Sequence, residues 1–226
     1  MDENLISLKN FIKKSNREFL AVPSFQIESQ FQGLVGGIDE AGRGPWAGPV
    51  VAAVAVFLKP PPTLLTDSIQ DSKKLSKTKR ESLFQALKEI ENFAFGLGKA
   101  SVSEIDHHNI LQATFLAMRR SVESLSFIPD MLLVDGKFIP KFEGIEARPI
   151  IEGDNKSLSI AAASILAKVT RDQEMEDLAK DHPHYGWERN AGYGTAQHQA
   201  ALKSYGVTPH HRRSFAPIQA LLNPLL

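Results

Sequence analysis

The stretch GGIDEAGRGPWAG, residues 36–48, constrains the fold more than any other part of the chain. It puts five glycines, two adjacent acids and one arginine between two apolar runs. LVGGID and PVVAAVAVF read as two strands joined by this glycine-rich connection, and PPP at 60–62 ends the second. Charge and bare backbone therefore have to be accommodated beside a core.

The rest of the chain supplies that core with partners. Thr78 and Glu81 form a capping box for a helix whose buried stripe is Leu83, Leu87 and Ile90. NFAFGLGKA alternates with period two, placing Phe93, Phe95 and Leu97 on one face of a third strand. Ser103 and Asp106 make a second capping box, for a helix running to about Leu125 through Leu111, Phe115, Met118 and Val122. MLLVDG (131–136) and ARPIIEGD (147–154) read as short buried strands that end in acids. SLSIAAASILAKVTRDQEMEDLAK is helix-rich, with Ala161, Ala162 and Ala163 small enough to pack closely on a sheet. The last forty residues hold GYGT, a short helix ended by Gly206, and the basic run HHRRSF. Strands first, then strands alternating with helices, predict a mixed α/β sheet covered by helices. Residues 1–33 read as an N-terminal extension, with Leu5, Leu8 and Ile12 on one helical face and Pro23 ending the pattern.

Composition excludes several functions. The 26 basic and 26 acidic side chains cancel, so there is no global positive field and any polyanion site must be local. The absence of cysteine removes disulfides, thiolate catalysis and cysteine zinc sites. No stretch approaches the roughly 18 continuous apolar residues of a membrane span. Met1 to Leu20 carries lysines and acids where a signal peptide needs an apolar run. A soluble, cytoplasmic protein without membrane contact is expected.

Most acids lie among polar residues, but a few sit where charge is costly. Asp39 ends LVGGI with Glu40 beside it, Asp135 ends MLLV, and Glu152 and Asp154 flank a glycine just after PII. A buried carboxylate must be paired, neutralised or bound to a cation. Three strand ends that each deliver an acid point to a shared cation, and oxygen ligands without cysteine select magnesium or manganese. Consecutive strand side chains point to opposite faces. Asp39 and Glu40 thus share one cation only if the strand ends or bulges there, or if one of them offers its backbone carbonyl.

The glycines of GRGPWAG are either a plain turn or a place where a sugar or phosphate can touch the backbone. Their spacing misses the dinucleotide fingerprint and leads into a strand, which discounts nicotinamide cofactors. Three basic clusters, DSKKLSKTKR at 71–80, Lys168 with Arg171, and HHRRSF at 210–215, read singly as solvated surface. Lys168 can pair with Asp172 one helical turn on. Gathered around the acids, the clusters would line a positive groove for a polyanion. His182 and His184 in HPHY lack a third metal ligand of matching spacing. Tyr193 in GYGT is either a packing residue or a stacking platform.

The chain closely resembles bacterial ribonuclease HII, the type 2 ribonuclease H family. GIDEAGRGPWAGPVVAA, DSKKLS, LLVDG, GDNKSLSIAAASILAKVTRD, GYGT and YGVTPHHRRSF occur in the family's order, across roughly residues 34–217. The resemblance implies a ribonuclease H-like α/β fold over 34–226: a five-stranded mixed sheet flanked by helices, with an additional helical C-terminal part. It implies Asp39, Glu40, Asp135 and Asp154 as the catalytic and metal-binding acids, holding two divalent cations, Mg2+ or Mn2+. It selects Asp154 over Glu152, a choice the strand-end pattern leaves open. Gly42, Arg43 and Gly44 would contact a ribose 2′-hydroxyl at an RNA to DNA junction, and Tyr193 would stack on the adjoining deoxyribose. From the basic clusters, Ser72, Lys73, Lys168, Arg212 and Arg213 are the further candidates for substrate contact.

The implied activity is hydrolysis of the RNA strand of RNA–DNA hybrids and cleavage 5′ of single ribonucleotides in duplex DNA, leaving 3′-hydroxyl and 5′-phosphate ends. The family often carries a basic residue before the GD where this chain has Glu152, a fifth acid that would tip the site negative. The related ribonuclease HIII has a lysine in place of Arg43 and an N-terminal domain for which 33 residues are too few. A non-catalytic binding module would not need four intact acids. A nuclease for DNA junctions would give the GRG and GYGT elements no ribose to read. A monomer is expected, and a sliding clamp stays open as a partner, with no stretch that marks its site.

Overall fold

The structure, a computed structural model, describes residues 23–61, 66, 68–69 and 76–223. Strands β1 (Val35–Ala41), β2 (Val50–Phe57), β3 (Phe93–Ala100), β4 (Met131–Asp135) and β5 (Glu146–Ile150) form one sheet in the order β3-β2-β1-β4-β5. β1 pairs antiparallel with β2 and parallel with β4, so the sheet is mixed. The expected five-stranded sheet flanked by helices is the fold observed.

Every residue of β2 is buried, which is why VVAAVAVF shows no alternation: both faces are covered. Helix α1 (Lys77–Lys88) packs with α3 (Leu158–Asp181) on one face, where Ala161 and Ala162 meet Ala53 and Ala55. Helix α2 (Val102–Glu123) covers the other face, bringing Ala113, Ala117 and Met118 onto Ile38, Val54 and Leu132. Gly37 lets β1 approach the backbone of α3 at Ser159 and Ile160, where a Cβ would overlap it.

Both predicted capping boxes shift. α1 is capped by Ser76, whose Oγ accepts the Lys79 amide at 3.4 Å, rather than by Thr78 with Glu81. α2 is capped by Ser101 with Glu104, two residues before the Ser103 and Asp106 frame. The earlier frame wins because it starts where β3 ends and because Arg120 also binds Glu104, at 2.7 Å. Asp106 instead accepts the amides of Arg213 and Ser214, at 3.0 and 2.8 Å. α2 is also broken at Asn109 (φ 68°), whose Oδ1 accepts the Leu111 and Gln112 amides and caps the second half. β5 is a largely exposed edge strand rather than a buried run, and ends before Glu152.

Residues 23–33 pack on this core: Glu28 is buried, and its Oε1 accepts from the Ser157 hydroxyl at 2.7 Å and the Ser159 amide at 2.8 Å, capping α3. The helix expected around Leu5, Leu8 and Ile12 lies outside the described residues, as do Ser72 and Lys73. Helices α4 (Trp187–Asn190), α5 (Ala196–Tyr205) and α6 (Ala216–Leu222) form the additional C-terminal part. They build a small core of their own from Trp187, Tyr185, Leu202 and Ile218 against Met175 and Ala179 of α3. No described helix is long and apolar enough to cross a membrane.

Candidate active site

β1 keeps its register through both acids, with Asp39 opposite Ala53 and Glu40 opposite Ala52. No bulge turns them to a common face and β1 stays paired through Ala41, so of the three ways to share a cation only a backbone carbonyl survives. Asp39 is 7% exposed, accepts the Glu40 amide at 2.7 Å, and is hydrogen-bonded by Ser164 of α3. Glu40 pairs with the half-exposed Arg43 at 3.1 Å. Asp135 ends the parallel neighbour β4, and its Oδ1 accepts the Gly153 amide at 2.6 Å. Asp154 follows in the same short 3-10 turn, Gly153–Asn155. Glu152 is exposed in a left-handed conformation (φ 55°), so the fifth acid does not join the buried group.

Burial pushes the Asp39 carboxyl well above the usual range, and the charges of Glu40 and Asp135 push it further. Glu40 is raised by burial, with Arg43 opposing and Asp135 adding to the rise. Three carboxylates therefore feel one another, and Arg43 is the cation that offsets Glu40. Among the described residues no three acids or histidines are already closed into a metal cage. The donor set is nonetheless all hard oxygen, and the burial and mutual repulsion that raise Asp39 are what a divalent cation would relieve, so the set fits such an ion.

The loop after β1 is held from behind by two buried arginines. Arg212 donates to the carbonyls of Gly42 (2.6 Å), Arg43 (2.9 Å), Gly48 (3.0 Å) and Pro49 (3.1 Å). Arg171 donates to Ala47 (3.1 Å), Pro49 (3.0 Å) and Ala191 (2.9 Å). Both are buried with their donors spent on carbonyls, so Arg212 is an interior brace where a substrate contact was expected, and Arg171, which borders the depression in front of the loop, is not basic surface. A guanidinium can be buried here because carbonyls satisfy its donors. Burial and then Arg171 push Arg212 down to about 9, still charged at neutral pH.

In front of the loop, Glu40, Gly42, Arg43, Gly44, Lys168 and Tyr193 border a depression of about 340 Å³. A Cβ on Gly44 would stand 3.3 Å from the Tyr193 ring, and Tyr193 is 49% exposed. Lys168 pairs with Asp172 at 2.7 Å, as its spacing suggests. Arg213 is exposed beyond Arg212. His182 packs against Trp187 and His184 stacks on Tyr205, so the HPHY pair faces separate partners.

The sequence pattern that defines ribonuclease HII matches residues 36–218. The chain belongs to the ribonuclease HII family. It is thereby a nuclease, a hydrolase of phosphodiester bonds. It is similar to the ribonuclease HII of Gluconobacter oxydans, 53% identical over 201 residues, which cover 89% of this chain and 97% of that one. The solved ribonuclease H2 of Pyrococcus horikoshii superposes with a TM-score of 0.70 at 30% identity, covering 84% of this chain and 98% of that one. Bst ribonuclease HIII, solved in complex with Mn2+, shares the fold at 16% identity with a TM-score of 0.64, covering 84% of this chain and 70% of that one.

One group in this chain escapes sequence reasoning altogether. His211 Nδ1 lies 3.0 Å from the Thr208 amide, which can only donate, so Nδ1 accepts and the ring proton sits on Nε2. That proton is given to His198 Nε2 at 3.0 Å, and His198 Nδ1 donates in turn to the Tyr193 carbonyl at 3.0 Å. Both rings are fully buried and neutral; burial and then His198 push His211 down to about 3. HHRRSF reads as a basic run in the sequence, yet its first arginine and second histidine are interior braces. A separation of 164 residues between Arg212 and Gly48 leaves no local signal that could reveal this.

Proposed function

We propose that this protein hydrolyses the RNA strand of RNA–DNA hybrids and cuts 5′ of a single ribonucleotide in duplex DNA, leaving 3′-hydroxyl and 5′-phosphate ends. The observation that carries the reading is adjacency. Glu40 and Arg43, from the segment that holds the buried acids, also border the gap between Gly44 and the exposed Tyr193 ring. A sugar seated in that gap has its phosphate beside the acids.

Asp39, Glu40, Asp135 and Asp154 would hold two divalent cations, Mg2+ or Mn2+, which supply an activated water and charge neutralisation at phosphorus. The chain's own groups position the substrate. Tyr193 offers a face to the deoxyribose that follows the ribonucleotide. The missing Cβ of Gly44 makes room for the ribose itself, and Arg43 can exchange Glu40 for a phosphate. Lys168, on the rim of the same depression, adds positive charge along the backbone path.

Discrimination against DNA has to come from the 2′-hydroxyl. Leaving one buried partner unsatisfied costs about 1–3 kcal/mol, roughly tenfold to a hundredfold, which is too little to spare a chromosome. The hydroxyl must therefore raise turnover as well as affinity. The test is an end-labelled duplex carrying one ribonucleotide, with Mg2+ and Mn2+ titrated separately, for the wild type and Asp135→Asn. A metal-dependent cut immediately 5′ of the ribonucleotide, lost in the variant and absent on all-DNA duplex, is expected. No cut with either metal, on folded protein, would overturn the reading.

A further inference from the structure

Large exposed aromatic rings are few among the described residues: Phe138 is 67% exposed, Tyr205 59% and Tyr193 49%. Tyr205 is already stacked, with its ring centroid 3.9 Å from that of His184. The other two flank the acids. Phe138 lies three residues beyond Asp135, on the connection from β4 to β5, and the Lys137 ammonium sits 5.5 Å from its ring centroid. Phe138, Lys137 and Asp135 border a depression of about 90 Å³ that is shared with Glu40 and Arg43. Glu40 and Arg43 also border the depression that ends at Tyr193. The Glu40 and Arg43 pair is thus a common wall, with an exposed ring beyond it on either side.

We propose that Lys137 and Phe138 form a second substrate subsite, in which the ring stacks on a nucleobase or sugar of the cut strand and the ammonium meets the adjoining phosphate. The subsite deepens the function proposed above and rests on it. At an RNA to DNA junction the deoxyribose offered to Tyr193 lies on the 3′ side of the ribonucleotide. A strand that passes the common wall then reaches Phe138 on the 5′ side of the cut. An aromatic face beside a cation takes one nucleotide unit without reading its sequence, because every base has a face to stack and every linkage a charge. Nothing at Phe138 senses a 2′-hydroxyl, so this subsite adds grip while the Gly44 gap adds selectivity. The cation over the ring also keeps the two groups together before substrate arrives.

The experiment uses the full chain and a duplex with one central ribonucleotide. Stacking on one aromatic side chain strengthens binding about tenfold. Phe138→Ala is therefore expected to raise KM about tenfold with kcat unchanged, and Phe138→Trp to restore KM. Lys137→Ala raises KM and flattens its salt dependence. On a duplex trimmed to one base pair 5′ of the ribonucleotide, wild type and Phe138→Ala should become equal. A 2-aminopurine placed 5′ of the ribonucleotide, read without metal, should be quenched by wild type and not by Phe138→Ala. Unchanged KM on the long duplex overturns the subsite, as does a KM defect that persists on the trimmed one. If the wild type fails to cut, the function proposed above falls, and the 2-aminopurine signal still decides whether Phe138 grips a strand.

Discussion

Arg212 separates two readings of the basic C-terminal run, and its replacement by methionine tests them. Methionine keeps most of the volume and removes all the donors. Of the four carbonyls that Arg212 holds, Pro49 keeps a partner in Arg171 at 3.0 Å, and those of Gly42 and Arg43 are near enough to the surface to turn to water. The Gly48 carbonyl is buried and loses its 3.0 Å donor. One unsatisfied buried acceptor costs about 1–3 kcal/mol, and that is the expected loss of unfolding free energy, against a usual total of about 5–15. The loop that carries Arg43 and Gly44 is loosened at the same time, so KM for a ribonucleotide-bearing duplex should rise with the salt dependence of binding unchanged. Urea titration at neutral pH gives the first quantity, and cleavage across a salt series gives the second. A phosphate contact would behave in the opposite way, leaving stability alone and flattening the salt slope by about one counterion. A variant as stable as the wild type with a flattened slope would refute the buried-brace account.

The remaining predictions concern other supports of the site. His211 is held down to about 3 where the unfolded chain titrates near 6.5, so the folded state binds fewer protons between those values. This contribution is fully present above about pH 6.5 and is lost as pH drops toward 3, while the raised Asp39 and Glu40 carboxyls contribute with the opposite sign. At about 1.36 kcal/mol per unit this is a loss of about 2 kcal/mol at pH 5, read as the difference in urea midpoints between the wild type and His211→Gln, and a difference that does not change with pH would refute the neutral pair. Glu28→Ala should cost about 1–3 kcal/mol by freeing the Ser157 hydroxyl and Ser159 amide at the start of α3; truncation to Gly33 should cost at least as much, since it also removes Phe25 from its edge contact with Phe57 at 6.1 Å. Gly44→Ala should leave stability within about 0.5 kcal/mol, because the position is exposed, yet lower cleavage by filling the gap at Tyr193. Normal cleavage by that variant would mean the ribose sits elsewhere.

What the sequence reveals, and what it hides, follows from the range over which each signal acts. Asp39 and Asp135 are legible because an apolar run ending in an acid is a pattern of six residues, and the strands form where the runs are. The capping frames are less secure: Ser101 with Glu104 and Ser103 with Asp106 overlap, and a 2.7 Å bond from Arg120 on a later turn decides between them. The break at Asn109 has no glycine or proline to announce it; the side chain that caps the second half of α2 is the only mark. The arginines are hidden most deeply. A charged side chain in a basic run is by default solvated, and it is mostly carbonyls more than 120 residues away that turn Arg171 and Arg212 into interior braces.

Those braces give the C-terminal part its place in the chemistry. Residues 211–214 reach three separate elements. His211 acts through His198 on the Tyr193 carbonyl, Arg212 acts on Gly42 and Arg43, and the Arg213 and Ser214 amides dock on Asp106 at the start of α2. The Gly44 gap has one wall on the loop after β1 and the other on the GYGT loop, two segments about 150 residues apart. No strand pairing sets the distance between those walls: the Trp46 amide donates to the Gly192 carbonyl at 2.8 Å, Arg171 bonds Ala47 on one side and Ala191 on the other, and the four-residue stretch 211–214 braces both from behind. A perturbation there, whether protonation of the histidines or loss of the guanidinium, should change the width of the Gly44 gap before it changes Asp39, Glu40 and Asp135, which are fixed independently by β1 and β4. KM for ribonucleotide-bearing substrates should accordingly respond to His211 and Arg212 variants at constant metal dependence, whereas Asp135→Asn should abolish the metal-dependent cut with the gap intact.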